Sequence, residues 1–273
     1  MTPHPHIAFI GGGNMANAII SGMVAHGFAP QHISVVEHNS TSREHLAHQF
    51  DVQVFANIAE VSNPEVWLLA VKPQNMREVL LELAPLLNAE QLLISIAAGL
   101  NVATLSQWAS HSKIARTMPN TPALVGQGVT GVYAPRPTFN ENEQMLIDQL
   151  FKAVGNTVWL NAEAEIDAIT AISGSGPAYV FYMMEHLTAA AVQLGFDEAT
   201  AQDLVKNTFA GAIALANTSS DSFATLREKV TSKGGTTAAA LATFNEHGVD
   251  KGLQAGAHAA TRRATELATE LAQ

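Results

Sequence analysis

Residues 7–20 read IAFIGGGNMANAII, and the reading of this stretch decides the architecture of the first half of the chain. An apolar run ends at Ile10. Gly11 and Gly13 follow, and Ala16 opens an apolar helical face. The spacing is G-x-G-x-x-A, with Asn14 and Met15 in the turn. Each small residue has a physical task in a dinucleotide cradle. Gly11 permits the tight turn, Gly13 lets a pyrophosphate approach the backbone, and Ala16 lets the helix pack closely on the sheet. The N–H groups of the helix start then face the phosphates. The pattern is weak in isolation. Here it follows the first strand and opens the first helix, which is the context the cradle needs.

Outward from this stretch, short β-type runs alternate with helical segments. The runs are HIAFI, ISVVE, VQVF, VWLLAV, LLISIAA, KIARTM, GVTGVYA and TVWL. Near-continuous apolar strands are buried on both faces, as in a parallel sheet with crossover helices. The last two runs flank a helical segment, and they are expected to extend the sheet at one edge. After Leu160 the strand texture stops, and everything to Gln273 has a helical period. Asp197 is an expected N-cap, and Gly195 and Gly248 stand where helices should end. The expected organisation is an α/β Rossmann-type dinucleotide-binding domain over 1–161 and an all-helical domain over 162–273.

Composition narrows the function. The chain has 24 acidic and 14 basic residues among 273, a formal net charge of −10, which argues against nucleic acid as a partner. It has no cysteine, which excludes disulfides and thiolate chemistry. None of its 11 histidines falls in an H-E-x-x-H spacing, and no metal site is expected. His26, His45, His48 and His186 are expected at the surface. The start MTPHPH enters a strand within a few residues, and no apolar run approaches a membrane span. A cytoplasmic protein is therefore expected, with neither membrane nor nucleic-acid partner. Charged residues are only 14%, a hint of subunit interface that an alanine-rich sequence also gives.

Cofactor choice is read at the end of the second strand. Glu37 lies where an acid can bond a ribose 2′-hydroxyl, which favours NAD. His38, Asn39, Ser40, Thr41 and Arg43 are donors suited to a 2′-phosphate, which favours NADP. Ser40 as a helix cap fits either reading, and the balance leans slightly to NADP. Further contacts with the cofactor are expected from Asn57, from Ala70, Val71, Lys72 and Pro73 after the fourth run, and from Ala97 and Ala98 after the fifth. Asn120 in RTMPNTPALVGQG is expected near the nicotinamide end. Lys72 serves equally as a solvated surface lysine.

Two loops in the helical part resemble small-anion sites. In SGSGPAY (173–179), Gly174 and Gly176 break a helical pattern and Pro177 starts the next helix. In TSKGGTT (231–237), a glycine pair precedes Thr236, Thr237 and a helix. The exposed N–H groups of such helix starts attract a carboxylate. Ordinary capping explains either loop alone; two of them beside a dinucleotide domain favour a ligand.

The blocks AVKPQ, SIAAG, RTMPNTPALVGQG, DAITAISGSGPAYVF and LREKVTSKGGTTAAALATFN, in this order, resemble those of pyrroline-5-carboxylate reductases over nearly the whole chain. The resemblance implies a Rossmann domain followed by a helical dimerisation domain, with dimers that assemble into decamers in some members. It implies NAD(P)H-dependent reduction of 1-pyrroline-5-carboxylate to L-proline, the last step of proline biosynthesis. It suggests that Thr237 hydrogen-bonds the ring nitrogen. Ser173, Gly174, Ser175, Gly176, Gly234, Gly235 and Thr236 are then expected to hold the substrate carboxylate. Near neutral pH the imine is readily protonated, so no strong general acid is required, and positioning carries the catalysis. Two alternatives remain open at this point. A 3-hydroxyacid dehydrogenase would need an acid such as Lys206, and a non-catalytic NAD(P) sensor would have no use for two anion loops.

Overall fold

The computed structural model describes residues 5–271. The first four residues, on which the expectation of no leader partly rests, lie outside the described residues.

Eight strands form one sheet: β1 (Ile7–Ile10), β2 (Ile33–Val36), β3 (Gln53–Phe55), β4 (Val66–Leu69), β5 (Leu92–Ser95), β6 (Ile114–Met118), β7 (Gly128–Tyr133) and β8 (Gly155–Trp159). All eight expected runs become strands. Their order is β3-β2-β1-β4-β5-β6-β7-β8. The six from β3 to β6 are parallel, β7 is antiparallel to β6, and β8 is parallel to β7 at the edge. The register sets Ile7 against both Ile33 and Val66.

Burial explains the apolar texture of the central strands. β1, β2, β4 and β5 are buried at every position. Alternate residues feed opposite faces. Ile7 and Phe9 join one cluster with Ile19, Ile20 and Phe151; Ala8 and Ile10 join a second with Trp67, Leu69 and Leu80. The result is a sheet with helical layers on both sides.

The helices are α1 (Asn14–Ala25), α2 (Ser40–Phe50), α3 (Met76–Leu83), α4 (Val102–Ala109), α5 (Glu141–Lys152), α6 (Glu165–Ile169), α7 (Gly176–Gln193), α8 (Glu198–Asn217), α9 (Phe223–Lys229), α10 (Thr236–Glu246) and α11 (Val249–Leu271). The Asp197 cap forms, accepting from the Thr200 N–H at 3.0 Å. Gly195 and Gly248 take positive φ of 105° and 66° at helix ends. One cap differs from expectation. Helix α2 starts at Ser40 and is capped by Asn39, whose side chain accepts from the Ser42 N–H.

By contacts, the chain forms two compact units, 1–175 with 260–273 and 176–259. This compact division falls later than the boundary expected near 161, because α6 stays with the sheet. Within the first unit, the last turns of α11 pack on the sheet's loop ends. A Cβ on Gly99, at φ +74°, would meet Leu271 at 3.0 Å and Leu267 at 3.3 Å. The second unit is helical and thinly buried. Helices α7, α9 and α10 contain no fully buried residue. No helix among the described residues is long and apolar enough to cross a membrane.

Candidate active site

The chain runs from β1 outward to β2 and β3, then returns to β4 on the other side of β1. That reversal opens a crevice beyond the carboxyl ends of β1 and β4, where open α/β sheets bind ligands. The glycine turn lies there. Gly11 has φ +100°, and a Cβ on it would sit 2.8 Å from the Ala70 oxygen and 3.2 Å from Val71. The turn is thus pressed against the end of β4, which brings Ala70 and Val71 beside it. Gly13 caps α1 in extended geometry, and a Cβ on it would meet nothing within 4 Å. The protein's own packing does not require glycine at 13. Asn14 is exposed, Met15 half-buried and Ala16 buried at the start of α1.

Two parts of this cradle were not expected from the motif. Asn17 donates to the Gly12 and Gly13 carbonyls at 2.7 and 3.0 Å, which fixes the turn's outward N–H groups. Gly12 is held close to α2, where a Cβ would sit 2.6 Å from Leu46. The signal for both was in the sequence, one residue beyond the motif and at its variable position.

Glu37 serves the turn. Its carboxylate accepts from the Gly12 N–H at 3.0 Å and the Asn39 N–H at 2.9 Å. Arg43 donates to the carbonyls of Glu37 and His38 at 2.6 and 2.8 Å. His38, Asn39, Ser40 and Thr41 are exposed around this point. Asn57 caps a short turn with Glu60 in a capping box. Lys72 is exposed and caps a turn that starts with Pro73. Ala97 is buried after β5 and Ala98 half-buried, whereas the adjacent Gly99 answers to α11.

Asn120 corrects one expectation. Its side chain is not open toward the cleft: Nδ2 donates to the Ser173 oxygen at 2.9 Å and Oδ1 accepts from the Val129 N–H at 2.8 Å. The SGSG stretch also differs from an open loop. It continues α6 through a π turn, Thr170–Gly174, before α7. The Ser175 N–H bonds the Thr170 oxygen at 2.8 Å and the Ser173 hydroxyl bonds the Ile169 oxygen at 3.1 Å. Ser173, Gly174, Ser175 and Gly176 are all half-buried. Sequence reasoning also passed over Arg116, which is 3% exposed on β6. It pairs with Glu163 at 3.3 Å and Asp167 at 3.4 Å. A lone arginine in a buried strand pattern announces such a partner.

In the second unit, residues 231–237 link α9 to α10. Gly234 has φ +71°, and Gly235 caps α10 with a Cβ position blocked by the Ser232 hydroxyl. Neither the Thr236 nor the Thr237 hydroxyl has a partner among the described residues. The contrast with other helices is informative. Helices α2, α4, α5, α8 and α9 are capped by Asn39, Asn101, Asn140, Asp197 and Ser222. Helices α1 and α10 are capped by glycine, and no side chain accepts from their first N–H groups. Both are among the three helix starts at which anions were expected, the start of α7 being the third. Lys206, the acid required by a hydroxyacid dehydrogenase, is exposed and paired with Asp203 at 2.8 Å.

Comparison with known proteins follows this geometry. Residues 163–267 match the family described as pyrroline-5-carboxylate reductase dimerisation, and residues 6–99 match NADP oxidoreductase coenzyme F420-dependent. The chain is 46% identical over 244 residues to a pyrroline-5-carboxylate reductase of Haemophilus influenzae, covering 89% of this chain and 90% of the relative. It is 36% identical over 249 residues to that of Pisum sativum, covering 90% and 88%. Among solved structures, a pyrroline-5-carboxylate reductase from Coxiella burnetii superposes with a TM-score of 0.90 at 36% identity, covering 96% of this chain and 98% of that one. The Plasmodium falciparum enzyme with NADP bound gives 0.86 at 26% identity, covering 98% and 100%.

Proposed function

The chain belongs to the pyrroline-5-carboxylate reductases, NAD(P)H-dependent enzymes of the last step of proline biosynthesis, and on that premise we propose how its own residues carry the reaction. The substrate is 1-pyrroline-5-carboxylate, a cyclic imine with one carboxylate, and the product is L-proline. The cofactor supplies the hydride. What the chain supplies is binding and orientation.

Gly11, Gly13 and the first N–H groups of α1 hold the pyrophosphate, with Ala70, Val71 and Ala97 lining the ends of the neighbouring strands. Glu37 shapes the glycine turn, and its exposed neighbours His38, Asn39, Ser40 and Thr41 receive the ribose end. Because the Glu37 carboxylate is already engaged by two backbone N–H groups, the surroundings favour NADP slightly over NAD. Thr237 donates to or accepts from the ring nitrogen through its free hydroxyl. Gly235, Thr236 and the 173–176 segment take the carboxylate. The 162–273 region acts as the dimerisation and substrate domain, and the working unit is a homodimer, in the cytoplasm. Decamers are dimers assembled further.

The observation that carries this reading is the pair of glycine-capped helix starts, α1 and α10, each left without a side-chain cap. Steady-state reduction of 1-pyrroline-5-carboxylate, run in parallel with NADPH and NADH, tests it. Turnover is expected with both, with the larger kcat/KM for NADPH. Measurable cofactor binding with no turnover would leave the cleft correct and the substrate wrong.

A further inference from the structure

Asn120 stands at the N-cap of a short turn, Thr121–Val125, yet does not cap it. An asparagine there ordinarily accepts from the turn's own N–H groups. Instead the residue is 7% exposed, and its amide accepts from the Val129 N–H through its oxygen and donates to the Ser173 carbonyl through its nitrogen. The Ser173 carbonyl needs that donor. In an α-helix it would accept from the N–H four residues on, and residue 177 is proline, which has none. The chain answers with a π turn over Thr170–Gly174, closed by the Ser175 N–H on the Thr170 oxygen. Single π turns of this kind recur at functional sites. Strand β6, just before Asn120, anchors the segment a second time. Arg116 on β6 holds Glu163 and Asp167, just before and within α6, and α6 leads directly into the π turn.

We propose that Asn120 is a positioning residue: its amide supplies the donor that Pro177 denies to the Ser173 carbonyl, and so fixes the π turn from which residues 173–176 meet the substrate carboxylate. The proposal rests on the reading that this segment binds the carboxylate. It assigns Asn120 to substrate placement instead of cofactor contact.

A double-mutant cycle on the full-length enzyme tests it, using Asn120→Ala, Pro177→Ala and the pair. Asn120→Ala should raise the KM for 1-pyrroline-5-carboxylate about tenfold, the scale of one lost hydrogen bond to a buried acceptor, with kcat changed less and NADPH affinity unchanged. Restoring an N–H at 177 should rescue part of that loss. The double variant then has a lower KM and a higher Tm than the two single effects combined predict. If Asn120→Ala does not fold, Asn120→Asp keeps the acceptor for Val129 and removes only the donor, and it carries the same test. Independent effects in both KM and Tm would overturn the proposal. So would a loss confined to NADPH affinity. Should the wild type show no turnover of this substrate, the functional reading fails, and the Tm cycle still decides the role of the Asn120 bond.

Discussion

Glu37 shows how far a single residue's role depends on what lies against it. From sequence it is a candidate ribose ligand; in the fold it accepts from Gly12 and Asn39 and holds the glycine turn. Glu37→Gln replaces one acceptor by a donor facing an N–H. The KM for NADPH and for NADH should both rise, by about tenfold, with little change in their ratio. A rise confined to NADH would show instead that the carboxylate reads the ribose. The resemblance points to Thr237, whose hydroxyl has no partner among the described residues. Removing it in Thr237→Val should lower kcat/KM about 10–100-fold, equivalent to ~1–3 kcal/mol of transition-state binding, at unchanged Tm. Full activity in both Thr237→Val and Thr237→Ala would remove Thr237 from the mechanism. His6 carries a pH dependence of stability. Burial holds its pKa below the usual 6.5, partly offset by Glu65, and its Nε2 lies 2.8 Å from the Ser34 hydroxyl. The unfolded chain therefore takes up the proton more readily than the folded one. The contribution is whole above the unfolded pKa and is lost as pH falls below it. Between about pH 7 and 5 the Tm of the wild type should fall more steeply than that of His6→Gln; parallel curves would refute this.

Glycines set how closely elements approach, and the structure separates those whose Cβ position is already filled from those with open space around them. Gly22 lies in α1 with ordinary helical geometry, but a Cβ there would come 2.5 Å from the Ala153 oxygen and from Val154. Gly22→Ala should cost about 1–3 kcal/mol, read as a lower Tm. Gly13 has open space around it and an extended conformation that alanine adopts freely. Gly13→Ala should leave Tm unchanged and raise cofactor KM about tenfold, because the close approach is to the pyrophosphate. The reverse pattern would show that the two glycines have been assigned the wrong way round. Periodicity announced the strands and most of the helices, because burial on two faces and capping chemistry leave local marks. The Asn140 capping box with Glu143 is one such mark. The π turn left none: SGSGP looks like a break, and only the donor that Asn120 supplies to the Ser173 carbonyl shows why the helix continues.

At the scale of the whole molecule, the helical unit is incomplete as a single chain. Phe181 is 65% exposed, Ile213 61% and Phe223 82%. Apolar exposure of this extent marks an interface, and the match to a dimerisation family agrees. The low charge of 14% was its trace in the sequence. Sedimentation at micromolar concentration should give an even number of chains, and Ile213→Glu should shift it toward monomer with loss of activity. A fully active monomer would contradict the homodimer as the working unit. The sequence by itself determined the architecture, the dinucleotide cradle and the family, since these rest on local patterns: alternation of apolar runs, glycine spacing and helix-start chemistry. Only the tertiary structure decided where Glu37, Asn120, Arg116 and Gly99 spend their side chains or their lack of one. Each has at least one partner tens of residues away in the chain, and a buried polar group takes whichever partner the fold brings to it.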